Sequence, residues 1–401
     1  MTDNTTTQTF TSFDEMNLKK SILRGIYAYG FEKPSAIQQR AIMPFTTGKD
    51  IIAQAQSGTG KTGTFSIGVL QMIDEDVNGT QAIILSPTRE LARQTYTVIK
   101  GLSQYTKITI KEVIGGLRKF EGNSGGRFDR NNRSSQKDED NTNEHIVVGT
   151  PGKVLDDLVK GRIDNKKLKI FVLDEADEML SKGFSEQVEN IFRYLSRDVQ
   201  IGLFSATLSN EILKLTEQFM NDPFKILVKT DELTLEGLKQ YYVDIGEERN
   251  KYETLCDLYG TFMVTQSIIY CNTKKKVHNL TSKMRDNNFM VSCLYGDMPQ
   301  LERNKIMESF RSGETRVLIT TDVLARGIDI QQISLVINYD LPLEVETYLH
   351  RIGRTSRYGK KGLAISFVTH QDYDLLKRIE RYYSTQIDEL PSDIDKLIGN
   401  L

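Results

Sequence analysis

Short apolar runs, each closing on small or polar residues, recur along the chain at intervals that leave room for a helix. In the first half they are "KDIIAQA", "QAIILSP", "HIVVGTP", "KIFVLDE" and "QIGLFSAT". In the second they are "QSIIYCNT", "FMVSCLYGD", "TRVLITTD", "ISLVINYD" and "GLAISFVT". Such a run suits a strand buried on both faces, and strand-helix alternation predicts a parallel, doubly wound sheet. The pattern restarts after "FKILVKTDELTLEGLKQYYV", so two α/β domains are expected. We set a polar tail at residues 1–11, a first domain at 12–229, a linker at 230–239 and a second domain at 240–401. Residues 121–144 are almost free of apolar side chains and read as a solvated polar insertion. The halves carry different motifs, so the repetition is architectural.

Composition adds exclusions. Of 401 residues, 38% are hydrophobic and 26% charged, as in soluble globular proteins. No apolar run approaches the roughly 18 residues of a membrane span, so no membrane partner is expected. The start, "MTDNTTTQTFTSFDEMN", lacks the basic and apolar regions of a signal peptide. Cys256, Cys271 and Cys293 show no metal-type spacing, and a reducing compartment is the simplest reading. A net charge of −2 advertises no nucleic acid, so any such contact must come from particular loops.

The run "KDIIAQ" leads into "AQSGTGKT", residues 55–62, and then into a helix-compatible stretch. A glycine-rich loop there points backbone amides at phosphates, and the helix N-terminus adds positive potential. Lys61 would reach the β- and γ-phosphates, and the Thr62 hydroxyl would face Mg²⁺. Ala55 stands where the general pattern has its first glycine. The run "KIFVL" ends in Asp174 and Glu175, at the edge where open α/β sheets bind ligands. Loop and acidic strand end together make the arrangement of a nucleoside triphosphatase. Asp174 would hold Mg²⁺, Glu175 would orient and deprotonate the attacking water, and Asp177 would link the site to neighbouring loops.

"DEAD" with "AQSGTGKT" resembles the DEAD-box ATP-dependent RNA helicases, and the resemblance runs from Ser12 to the C-terminus. It implies two tandem RecA-like domains, each a mostly parallel sheet flanked by helices, with a central interdomain cleft. ATP and Mg²⁺ are the implied cofactors. Phosphates would meet Ala55, Gln56, Ser57, Gly58, Thr59, Gly60, Lys61 and Thr62. "GFEKPSAIQ" is similar to the family's adenine-reading segment, with Gln38 pairing to the adenine edge, Phe31 beside it and upstream Phe13 stacking on the base. "SPTRELA", "IGG" and "TPGK" resemble RNA-backbone contacts, which assigns that role to Thr88, Arg89, Gly116, Thr150 and Gly152. Lys153 stands where an arginine is usual, so the charge survives without the bidentate fork. "SAT", with Ser205 and Thr207, resembles the segment coupling nucleotide state to unwinding.

The second half extends the resemblance. "HRIGRTSRYG" carries His350, with an implied coupling role, and two implied arginine fingers, Arg354 and Arg357, with Ser356 where the family has glycine. "TTDVLARGIDI" resembles the motif that meets RNA through Thr321 and the ribose through Asp329. "CNT" and "QLER" match RNA-side motifs, placing Asn272, Thr273, Gln300 and Arg303. "LYGD" has Tyr295 where relatives often carry histidine. Within the family the chain resembles the translation-initiation factor 4A subfamily and its exon-junction relative. That implies mRNA and a helical-repeat scaffold protein as partners, a monomer on its own, and a cytoplasmic location, with the nucleus as alternative. Two functions are carried forward: a helicase unwinding short mRNA structure, and an ATP-gated RNA clamp.

Overall fold

The computed structural model describes residues 9–55, 58–115, 142–181, 183–208, 210–227, 238–261, 266–322, 333–353, 362–383 and 385–391. The chain divides into two compact units, residues 1–228 and 229–401. In the first, the strands are β1 (Ile51–Gln54), β2 (Ala82–Leu85), β3 (Ile110–Val113), β4 (Ile146–Gly149), β5 (Ile170–Asp174), β6 (Gln200–Ser205) and β7 (Phe224–Leu227). They lie in the order β3-β4-β2-β5-β6-β1-β7, and every pairing is parallel. The second unit holds β8 (Leu238–Gly246), β9 (Ser267–Tyr270), β10 (Val291–Leu294), β11 (Val317–Thr320), β12 (Leu335–Asn338), β13 (Gly362–Thr369) and β14 (Asp388–Glu389). Its order is β10-β11-β9-β12-β13-β8-β14, again parallel throughout.

The ten quoted apolar runs all become strands; nine are central, where cover on both faces favours apolar residues, and the tenth, β10, is an outer strand that is still mostly buried. All five residues of β5 are buried. Phe171 and Leu173 belong to the core on one face, packed with Val154, Val188 and Ile212. On the other face Phe204 meets Phe45 and Phe65, with ring centroids 6.1 and 5.1 Å apart. Each ring so buried contributes roughly 1.5–3 kcal/mol.

β7 and β8 lie outside the ten quoted runs, and β3 and β14 were not foreseen either. The latter two are outer strands: three of the four residues of "IKEV" are half-buried, and the two residues of β14 are exposed. A strand with little cover can be polar, which hides it from a search for apolar runs. β8 begins at Leu238, within the segment expected as linker, because Leu238 is buried and pairs with Gly362. Residues 116–141, most of the expected insertion, lie outside the described residues. Parallel pairing has one consequence for function. Within each unit every strand's C-terminal end opens on the same edge of the sheet.

Candidate active site

β1 ends at Gln54, and a turn at residues 58–60 leads into the helix Lys61–Met72. Gly58 and Gly60 have φ of 87° and 105°, a left-handed conformation that costs glycine little. Gln38 lies against this turn. Its Oε1 accepts from the Ser35 amide at 2.9 Å, and its Nε2 donates to the Gly60 carbonyl at 3.4 Å. A Cβ at Gly63 would stand 2.6 Å from Gln38 Nε2 and 3.2 Å from the Phe31 ring. Phe31 is half-buried and keeps surface beside the loop. Phe13 is fully buried with its ring centroid 6.4 Å from that of Tyr27, so it presents no free face in this conformation. Ala55 is buried, and Thr59 and Thr62 are half-buried near the helix start. Gln56 and Ser57 lie outside the described residues.

β6 separates β1 from β5, yet their ends meet through side chains. Lys61, only 4% exposed, donates from Nζ to the Ala55 carbonyl at 2.8 Å and stands 3.6 Å from Glu175 Oε1. Glu175 has φ of 52°, an uncommon backbone state for a residue with a side chain. The sheet ladder ends at Asp174, and this left-handed step carries the chain into the helix Ala176–Ser181. Such strain costs about 1–3 kcal/mol and persists where surrounding structure enforces it.

Asp174 and Glu175 are buried, and Asp174 Oδ2 and Glu175 Oε2 have no hydrogen-bond partner. Burial first, then the charge of Glu175, push the Asp174 carboxyl up to about 8, with Lys61 opposing. Two unpaired carboxylate oxygens beside a hydroxyl-bearing helix start form a donor set that fits a divalent cation.

A stability prediction follows from that burial. Because the folded pKa of Asp174 lies above its ordinary 3.8, the unfolded chain releases this proton more readily. Its contribution to stability therefore falls as pH rises from about 4 to about 8. In EDTA without nucleotide, Asp174→Asn should melt about 3 °C or more above the parent at pH 8 and level with it near pH 4. An unchanged or lower melting temperature at pH 8 counts against an uncompensated buried carboxylate.

Asp177, Ser205 and Thr207, three of the residues expected to couple, share hydrogen bonds. The Asp177 amide donates to Ser205 Oγ at 3.3 Å, and Thr207 Oγ1 donates to Asp177 Oδ2 at 3.0 Å. Ser205 Oγ closes the set on the Thr207 carbonyl at 2.7 Å, and Gln54 Nε2 reaches the Ala206 carbonyl at 3.2 Å. Strand ends from β1, β5 and β6 thus share one network.

On the other half of the sheet, Leu85 and Val113 both pair with Gly149, so three further strand ends stop on one rung. Thr88 caps the helix Arg89–Leu102 by accepting from the Leu91 amide at 3.2 Å. A Cβ at Gly115 would lie 3.4 Å from the Arg89 guanidinium. Thr150 precedes the helix Pro151–Val159, and Lys153 pairs with Asp157 one turn on. Gln187 Oε1 faces Gly152, 3.2 Å from a would-be Cβ, and has no hydrogen-bond partner. No local signal marked Gln187, because it comes from a separate helix. Gly116 lies outside the described residues.

In the second unit the sequence reading missed the central residue, Arg351. It is fully buried. Its Nε and Nη2 donate to the two Asp322 carboxylate oxygens at 2.6 and 2.9 Å. Nη2 also reaches Asn272 Oδ1 at 2.8 Å, and Nη1 reaches the Asp340 carbonyl at 2.6 Å. Asp340 accepts from the Asn272 amide at 3.0 Å and pairs with Lys251 at 2.8 Å and Lys276 at 2.6 Å. Burial opposes ionisation of Asp340, but Lys251 above all and then Lys276 hold its carboxyl below the usual range. Thr273 caps the helix Lys274–Asp286, Thr321 follows β11, and Arg303 is buried on the helix Gln300–Arg311. Gln300 opens that helix, and its side chain is outside the description. His350 is fully buried on the helix Val345–Ile352. Asp329, Arg354 and Arg357 lie outside the described residues.

Comparison with known proteins shows the family. Residues 35–215 match the DEAD/DEAH box helicase family, and residues 250–359 match the helicase conserved C-terminal domain. The chain is 54% identical over 394 residues to eukaryotic initiation factor 4A of Caenorhabditis elegans, covering 98% of this chain and 94% of that protein. It is 54% identical over 387 residues to the ATP-dependent RNA helicase eIF4A of Saccharomyces cerevisiae, covering 96% and 94%. Among solved structures it resembles S. cerevisiae Dbp5 bound to RNA and ADP BeF3, with TM-score 0.86 and 39% identity, covering 97% and 98%.

Proposed function

Since the chain belongs to the DEAD-box helicases and is an ATP-dependent RNA helicase, we propose how its own residues perform that activity. The observation that carries the reading is the approach of Lys61 to Glu175 across two strand ends, beside Asp174 and its unpaired oxygen. Residues 55–62 cradle the phosphates, with Lys61 on the β- and γ-phosphates. Gln38 and Phe31 receive the adenine, and Gln38 then relays base occupancy to Gly60. Thr62 and Asp174 would hold Mg²⁺, which neutralises charge on the phosphates when bound. Glu175 positions and deprotonates the attacking water. Arg354 and Arg357 serve as fingers to the γ-phosphate, and Asp329 meets the ribose.

RNA lies along the aligned strand ends of the first unit through Thr88, Arg89, Gly116, Thr150, Gly152 and Lys153. Asn272, Thr273, Gln300, Arg303 and Thr321 continue the track in the second. Backbone contacts make the grip sequence-tolerant. The network from Asp177 to Ser205 and Thr207 passes nucleotide state to that track. The similarity to initiation factor 4A supports mRNA in translation initiation as the substrate, with a helical-repeat scaffold as partner.

The test is ATP turnover on the purified chain. Single-stranded RNA should raise the steady-state rate at least tenfold, and DNA of the same sequence should not. Equal stimulation by both would overturn RNA as the activator, and a single slow turnover would favour the clamp.

A further inference from the structure

We propose that Asp157 weakens this protein's hold on RNA by keeping Lys153 engaged, and so sets the affinity of the first unit. The proposal rests on the reading of Lys153 as an RNA-backbone contact.

Lys153 stands in the first turn of the helix Pro151–Val159, beyond the end of β4. That end shares a rung with β2 and β3, whose following loops bear Thr88, Arg89 and Gly115. A phosphate tracking these three loops would meet a cation here. The Lys153 ammonium is already held by Asp157 Oδ1 one turn along, and it lies 3.6 Å from Asp156 Oδ2. Asp157 is 6% exposed, so water screens it poorly. Arg162 Nη1 binds the same Oδ1 at 3.1 Å, while Lys160 pairs with Asp156 at 2.5 Å. The backbone fixes the acid as well: the Arg162 amide donates to the Asp157 carbonyl at 2.8 Å. Asp157 is therefore a fixed, shielded negative charge touching the ammonium that RNA needs.

An arriving phosphate must share or displace this pair, and it feels repulsion from Asp157 at near-contact range. A lysine is poorly suited to the sharing. Its ammonium is a compact point charge, whereas a guanidinium offers five donors in a fork that serves two anions at once. Asparagine at 157 keeps an acceptor oxygen for Lys153 and Arg162 and removes only the charge. That substitution separates the electrostatic effect from the positional one.

The experiment measures Kd for a labelled single-stranded RNA in the presence of a non-hydrolysable ATP analogue, on the full chain. Asp157→Asn should tighten binding about 3- to 10-fold, the scale of a partly shielded ion pair. Lys153→Ala should weaken it, and adding Asp157→Asn to Lys153→Ala should then tighten binding by less than the same change does in the parent, the difference being the part that acts through Lys153. Lys153→Arg retains both acids and should tighten binding by a similar factor, which tests the proposal without disturbing Asp157. Asp157→Asn binding equally or more weakly on a folded protein overturns the proposal, as does Lys153→Arg with no gain. Lys153→Ala with unchanged Kd sinks instead the reading of Lys153 as an RNA contact. A merely structural Asp157 predicts loss, never tightening.

Discussion

Glu175→Gln should bind ATP and RNA like the parent and hydrolyse ATP about 10²–10⁴-fold more slowly, the usual worth of a positioned general base. The amide is isosteric and holds the place of the carboxylate next to Lys61, 3.6 Å away in the parent, but it takes no proton. Glutamine also inherits the left-handed backbone at φ 52°, so the turn into the following helix should persist. The check is paired: equilibrium titration with a fluorescent nucleotide and with RNA, then single-turnover hydrolysis. A hydrolysis step within threefold of the parent would remove Glu175 from the reaction. Loss of nucleotide binding would instead assign it to holding the loop through Lys61.

Arg351→Ala should be the most damaging single change in the second unit. It strands the Asp322 carboxylate, Asn272 Oδ1 and the Asp340 carbonyl, three groups now satisfied by one guanidinium. Removing one partner of a buried pair costs about 3–5 kcal/mol, and Asp322, 30% exposed, recovers a part by hydration. Amide hydrogen exchange reads the outcome by region. Protection should collapse in β9, β11 and β12 and stay unchanged in β1 to β7. Arg351→Lys should fall between, since one ammonium cannot span both oxygens of Asp322 and Asn272 together. Uniform exchange in both units, or none, would mean Arg351 is not the fastening of these loops. The neighbouring cluster adds a pH arm. Because Asp340 is held below its ordinary range, its contribution is full above about pH 4 and is lost as pH falls through its folded value.

The strands of both sheets that have covered faces were legible as apolar runs, because burial on two sides leaves composition no alternative. The left-handed Gly58 and Gly60 ahead of the helix start at Lys61 were legible for a similar reason. Phosphate binding demands glycines with left-handed φ followed by a lysine, a local requirement written in consecutive positions. The outer strands β3 and β14 were invisible, since a strand with little cover carries no apolar signature, whereas the outer strand β10 is mostly buried and was legible. The surroundings of Gln38 were half legible. "PSAIQ" located Gln38, but that its Nε2 reaches Gly60, and that Phe13 is enclosed while Phe31 keeps surface, depends on how the helix Ala36–Phe45 packs against the phosphate loop.

What the chain alone determined is therefore whatever one short segment accomplishes by itself: strand, turn, helix start, and the placing of buried acids at the end of an apolar run. What only the tertiary structure decided are the meetings between segments far apart in sequence. Lys61 and Glu175 stand 114 positions apart by number and touch because β6 sets the spacing of their strands. Arg351 reads as one more basic residue in "HRIGR" until packing removes water and leaves Asp322, Asn272 and Asp340 as its neighbours. Charge on a surface costs little and records nothing. Once buried it must find opposite charge or donors, and which partners it finds depends on the fold.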